Sequence, residues 1–134
     1  MKKYVFLLPL FAFLFSSCLK KEPTYTYFQG VITGFDAPDT ITLNSVCSVV
    51  VYYTGENACS RYGGLNGNWT NDSTINVQAY YLQPDNEEVC AENLPVFANT
   101  LRFIPLNLGP IVLHADDEEG INDTIFVKEL TLSK

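Results

Sequence analysis

The chain reads as an all-β protein, an antiparallel sandwich of about seven short strands. Three observations carry that reading. In Ile75-Asn76-Val77-Gln78-Ala79-Tyr80-Tyr81, apolar residues recur at every second position, the pattern of a strand with one buried face. The run Val46-Cys47-Ser48-Val49-Val50-Val51-Tyr52-Tyr53 is dense in β-branched and aromatic residues, which suit a pleated, half-buried surface. Clusters of Gly, Pro, Asn and Asp punctuate the apolar runs, and no segment sustains a helical period.

The elements follow in order. Thr24 to Phe35 carries Tyr25, Tyr27, Phe28, Val31 and Ile32, with Gly30 placed at a bulge. Thr40 to Leu43 is a short extended piece, and Val46 to Tyr53 is the strongest strand. Thr54 to Ser73 is polar and rich in glycine, with one irregular strand around Leu65 to Trp69. Thr74 to Leu82 alternates, placing Ile75, Val77, Ala79 and Tyr81 on one face. An acidic connection runs from Pro84 to Pro95, and Leu94 to Ala98 reads as one helical turn. Thr100 to Ile104, Ile111 to Ala115 and Asp123 to Leu132 complete the strands. In the last of these Leu130 and Leu132 fall out of step with Ile125 and Val127, which predicts a bulge near Lys128-Glu129.

Ahead of the domain stands a leader. Lys2-Lys3 precede an apolar run from Tyr4 to Phe15, which ends in Ser16-Ser17-Cys18. A basic start, a short apolar stretch and small residues make a bacterial secretory signal. A spanning helix needs roughly 20 apolar residues, and Pro9 interrupts this shorter run. The ending Phe15-Ser16-Ser17-Cys18 resembles a lipobox, although Phe15 stands where an aliphatic residue is usual. The resemblance implies cleavage after residue 17 and a lipid on Cys18. The expected organisation is a signal peptide over 1–17, a lipidated tether over 18–23 and the sandwich domain over 24–134. The expected address is the bacterial cell envelope, anchored to a membrane by the lipid, in the outer membrane.

Charge narrows the partners. Fifteen acidic residues oppose 8 basic ones, a formal net charge of −7. The leader removes two lysines and no acid, so the mature domain is more acidic still. Such a chain repels nucleic acid. With Cys18 lipidated, Cys47, Cys59 and Cys90 remain in an oxidising compartment. Cys47 shares a strand face with Val49 and Val51 and reads as a small core hydrophobe. Cys59 and Cys90 lie in loop-like sequence and are expected to form a disulfide. The cysteine spacing fits no zinc pattern and His114 is the sole histidine, so no structural metal or cofactor is expected.

The pieces Ser48-Val49-Val50-Val51-Tyr52-Tyr53, Asn57-Ala58-Cys59, Ile75-Asn76-Val77-Gln78-Ala79-Tyr80, Cys90, Leu101-Arg102-Phe103-Ile104-Pro105 and Asp123-Thr124-Ile125-Phe126-Val127 follow one another along most of the chain. In that order they resemble small Bacteroidetes-type lipoproteins with an immunoglobulin-like β-sandwich. The resemblance implies a fold and an envelope address, and no reaction. More locally, Cys59-Ser60-Arg61-Tyr62-Gly63-Gly64 resembles a turn of META-type envelope stress domains. The later Thr-x-Met-Ala-Cys motif of that family is absent, because Glu88-Val89 precede Cys90.

Catalytic patterns are thin. His114 has no nucleophile elbow to serve, and a strand histidine at the rim is the simpler reading. Glu87-Glu88 and Glu118-Glu119 sit in runs typical of solvated turns. Asp116-Asp117-Glu118-Glu119 lacks the spacing of a calcium loop and reads as a charged hairpin tip. A small envelope hydrolase is therefore the weaker alternative to a non-catalytic binding or scaffolding module for a glycan or envelope protein. The rings Tyr62, Trp69 and Tyr80 are the candidate ligand contacts, lying in or beside the longest polar, glycine-rich stretch. The opposite possibility for Trp69 is a ring turned inward over the core. Finally, Asp39-Thr40, Asp72-Ser73 and Asp123-Thr124 resemble the acceptor sites of Bacteroidetes O-glycosylation, which would place sugars on Thr40, Ser73 and Thr124.

Overall fold

The apolar runs become strands in a computed structural model that describes residues 22–86 and 89–131. The expected leader, Cys18 and Glu87-Glu88 lie outside the described residues. Among the described residues eight strands occur in chain order: β1 (Tyr25–Asp36), β2 (Thr40–Thr42), β3 (Cys47–Thr54), β4 (Arg61–Asn71), β5 (Thr74–Pro84), β6 (Val96–Phe103), β7 (Gly109–Ala115) and β8 (Asn122–Lys128). The described chain is all-β. The strands form one curled sheet in the order β2-β8-β7-β5-β1-β3-β6, with β4 on β5.

The sheet is mixed rather than antiparallel throughout. β5 pairs with β7 in parallel over Thr74–Val77, and β2 runs parallel to β8. Alternation in a sequence reports which face of a strand is buried, not which way its neighbour runs, so this feature left no trace in the pattern. β5 is the hub. One edge carries β4 from Arg61 to Asn71, and the other carries β7 and then β1 from Ala79 onward.

β1 changes partner midway. Tyr25–Gly30 pairs with β5, and Val31–Asp36 pairs with β3. Gly30 sits at the changeover because the chains come too close for a side chain. A Cβ there would stand 2.9 Å from the Thr54 carbonyl oxygen and 3.0 Å from Tyr53 Cδ2. The bulge expected at Gly30 falls instead between Ile32 and Gly34.

Three further expectations are corrected. The polar stretch before Ser73 holds a full strand, β4, because it pairs along nearly the whole of β5, with bulges between Tyr62 and Gly64 and between Trp69 and Asn71. Leu94 to Ala98 contains no helical turn; β6 starts at Val96, which pairs with Thr54 while Phe97 pairs with Tyr53. No bulge carries β8 past Lys128, where the strand ends and Leu130 is exposed.

The curl brings the outer edge of β4 close to β6. Side chains rather than a backbone ladder make this seam. The Asn99 side-chain amide donates to the Tyr62 hydroxyl, and Trp69 meets Phe103 edge-on with ring centroids 5.8 Å apart. Between them, Gly67 leaves room for Leu101, whose Cδ1 would lie 2.7 Å from an added Cβ. Inside the curl lie Ile32, Val49, Val51, Tyr53, Ile75, Val77, Leu113, Ile125 and their neighbours. Each fully buried Val, Ile or Leu contributes about 1.5–3 kcal/mol.

Candidate functional site

At one end of the β4–β6 seam is a cavity of about 300 Å³, lined by Trp69, Asn71, Asp72, Ile104, Leu106 and Asn107, with Thr70 beside them. Trp69 reaches it because it pairs with Ile75 on β5 and so shares the inward-facing side of β4. Phe103 holds one side of the indole, and 45% of the residue stays exposed. The sequence left Trp69 open between ligand contact and core cap. The ring does part of each.

Both rims of the cavity are fastened. On the β4–β5 side, Asn71 Oδ1 accepts the Ser73 backbone N–H at 2.9 Å and the Ser73 hydroxyl at 3.0 Å. The Ser73 carbonyl in turn accepts the Val112 N–H at 2.8 Å, tying the hairpin to β7. On the β6 side, Pro105 is buried and its carbonyl accepts the Asn44 N–H at 3.1 Å. Asn44 adopts φ 61° to make that turn, a conformation asparagine tolerates. The neighbouring Ile104 and Leu106 remain exposed. Neither was singled out from sequence, since nothing in the order Ile104-Pro105-Leu106-Asn107 separates a strand end from a pocket rim.

The three predicted rings do not form one platform. Tyr62 and Trp69 stand at opposite ends of the seam, on the same strand. Tyr80 lies between the buried Ala79 and Tyr81 and so belongs to the other face, where its hydroxyl donates to Gln78 Oε1 at 2.9 Å. The six residues Cys59 to Gly64, read as a turn, run into the start of β4.

Cys59 and Cys90 form the expected disulfide, and Cys47 is a buried free thiol. The bridge ties the β3–β4 connection to the β5–β6 connection. Around it Ser60 is buried; its hydroxyl accepts the Glu56 and Asn57 N–H groups and donates to Gln83 Oε1.

The acidic turn has structural work. Asp117 Oδ1 accepts the Glu119 and Gly120 N–H groups, and its Oδ2 accepts the Ile32 N–H. Gln78 Nε2 donates to Asp116 Oδ2 at 2.8 Å, and Gln29 donates to the Asp116 carbonyl. No cluster of His, Cys, Asp and Glu suited to a metal ion occurs among the described residues. His114 Nδ1 lies 2.7 Å from Asn122 Oδ1 across β7 and β8, and the groove beside the acidic turn is lined by Gln29, Gly30, Val31 and Asp116–Glu118 rather than by His114.

Thr40, Ser73 and Thr124 are all exposed. Thr40 opens β2, Thr124 lies on β8, and Ser73 sits in the β4–β5 turn beside the cavity. No helix among the described residues is long and apolar enough to cross a membrane. No protein family, curated protein or solved structure matches this chain.

Proposed function

We propose that this chain is a lipid-anchored module of the bacterial cell envelope that binds a glycan or an envelope protein and performs no chemistry. One observation carries the binding half: a fastened cavity at the end of the β4–β6 seam, with a half-exposed Trp69 held by Phe103. Large planar side chains in rigid surroundings give contact area at small entropic cost. The anchoring half rests on the small-small-Cys ending after the apolar run. The same sequence supports a place among small Bacteroidetes-type lipoproteins of the outer membrane. Their immunoglobulin-like sandwich is favoured here by β1, which leaves β5 for β3 as a strand shared between two facing layers does. O-linked sugars on Thr40, Ser73 and Thr124 belong to the same proposal, since all three hydroxyl residues face solvent.

Two measurements test it. Mass spectrometry of the mature N-terminus should find an acylated Cys18; an unmodified N-terminus elsewhere rejects the anchor. Immobilised protein should retain material from the polysaccharide or the protein fraction of the envelope, and Trp69→Ala at matched folded concentration should lose it. Equal retention by the variant removes the cavity from the proposal.

A further inference from the structure

We infer that the Trp69 cavity takes one neutral pyranose unit of an oligosaccharide, stacked on the indole and held at its edge by Asn71, Asp72 and Asn107. This deepens the binding reading above and rests on it. A pyranose has two chemistries, an apolar face of C–H groups and a rim of hydroxyls that each need a partner. The cavity has the same two. Its apolar lining is Trp69, Ile104 and Leu106, and its volume of about 300 Å³ is at the small end of ligand sites. Its rim is polar and uncommitted. Among the described residues nothing engages the Asp72 carboxylate or the Asn107 amide. Asn71 spends its Oδ1 on Ser73 and keeps its Nδ2 amide as a donor.

Charge selects the class of sugar. Asp72 stands in the site of a chain whose formal charge is −7, so a uronate or phosphorylated sugar would meet repulsion. A carboxylate is also the natural acceptor for two vicinal hydroxyls, because both oxygens accept and charge-assisted bonds are the stronger ones. An apolar peptide side chain would cover the apolar lining and engage none of the three rim groups, which are exposed. The geometry is ready before binding, since Phe103 sets the indole and the Asn44 and Val112 amides set the two rims. Such fixed sites lose little affinity to ordering.

The test uses the full chain and its single tryptophan as the reporter. Cellotetraose, xylotetraose, mannotetraose and N-acetylchitotetraose are titrated to about 10 mM, a range that captures millimolar affinities. At least one should shift Trp69 emission saturably, and tetragalacturonate should not. Asp72→Asn, at an exposed position, should weaken the binding about tenfold without changing the melting temperature. The inference is overturned when no neutral tetrasaccharide shifts the emission, when tetragalacturonate shifts it as strongly, or when Asp72→Asn leaves the affinity as it was. Retention of an envelope-protein fraction through Trp69 in the absence of any sugar response would remove the sugar and keep the binding module. Loss of both responses removes the two together.

Discussion

The Asp117 carboxylate accepts the backbone N–H of Ile32 at 2.7 Å. The contact joins the β7–β8 hairpin to the point where β1 has just exchanged β5 for β3. Ile32 is buried and follows directly on that exchange, and the Asp117 carboxylate satisfies its amide. The other Asp117 oxygen accepts Glu119 and Gly120 and shapes the turn. One side chain therefore fixes both the hairpin tip and the strand it rests on.

Replacing Asp117 by Ala should be among the more costly changes on the acidic surface. It strands a buried N–H, a loss of about 1–3 kcal/mol. Glu118→Ala, one residue on, makes none of these bonds and should fall within about 0.5 kcal/mol of the parent. Urea denaturation of the two variants measures the difference. Equal midpoints would mean that Asp117 is merely a surface charge.

Tyr53 carries a second test. Its ring is fully buried against Phe97, and its hydroxyl makes no well-formed hydrogen bond among the described residues. Burial, with Tyr62 nearby, pushes the phenol up to about 12, and the neighbouring Gly63 and Gly64 amides only soften the shift. The folded pKa lies above the unfolded one near 10.0. Below the unfolded value both states hold the proton and the full contribution is present. From there up to about 12 only the unfolded state gives the proton up, so stability falls. Tyr53→Phe should remove this part of the alkaline decline. Near neutral pH it should be between neutral and about 1 kcal/mol more stable, because an unmatched polar group leaves the core. Denaturant midpoints for parent and variant across the alkaline range decide it; parallel curves would place the Tyr53 hydroxyl in contact with water.

The cysteines divide by role. Cys59 and Cys90 close a loop with a sequence separation of 31, so Cys59→Ala should cost roughly 3–4 kcal/mol in the chain-entropy model. Cys47 is buried among core side chains, and burial also pushes its thiol up. It should resist alkylation in the native state and react on unfolding. Cys47→Ser would leave a hydroxyl there unsatisfied and should cost about 1–3 kcal/mol. Peptide mapping under non-reducing conditions, with and without denaturant, checks both assignments.

Legibility in the sequence followed the physics of each element. β3 and β5 were readable because one face of each is sealed in the core, which forces alternation: Cys47, Val49, Val51 and Tyr53 on one, Ile75, Val77, Ala79 and Tyr81 on the other. The disulfide followed from the same facing of Cys47. β4 was mostly hidden. Gly63, Gly64, Asn66, Gly67 and Asn68 lack strand preference, and the strand exists through its pairing with β5. The parallel pairs were invisible for a related reason, since they depend on partners distant in sequence. At the candidate site Trp69 was found by its residue type. Its separation from Tyr80 required knowing which side of β4 faces β6, and the rim residues Ile104 and Leu106 carried no local signal.

The seam between β4 and β6 gives the last prediction. Trp69 and Phe103 meet nearly perpendicular, at 87°, a geometry worth about 0.5–1.5 kcal/mol beyond buried area. A double-mutant cycle with Trp69→Leu and Phe103→Leu should return a coupling in that range. Phe103 lies outside the cavity lining, so Phe103→Leu should act on binding only through the indole it holds. Trp69 emission should move toward that of a solvated ring in this variant, and ligand retention should fall although every lining residue is still present. A coupling near zero with unchanged emission would show that the two rings are neighbours without consequence, and that β4 alone sets the Trp69 position.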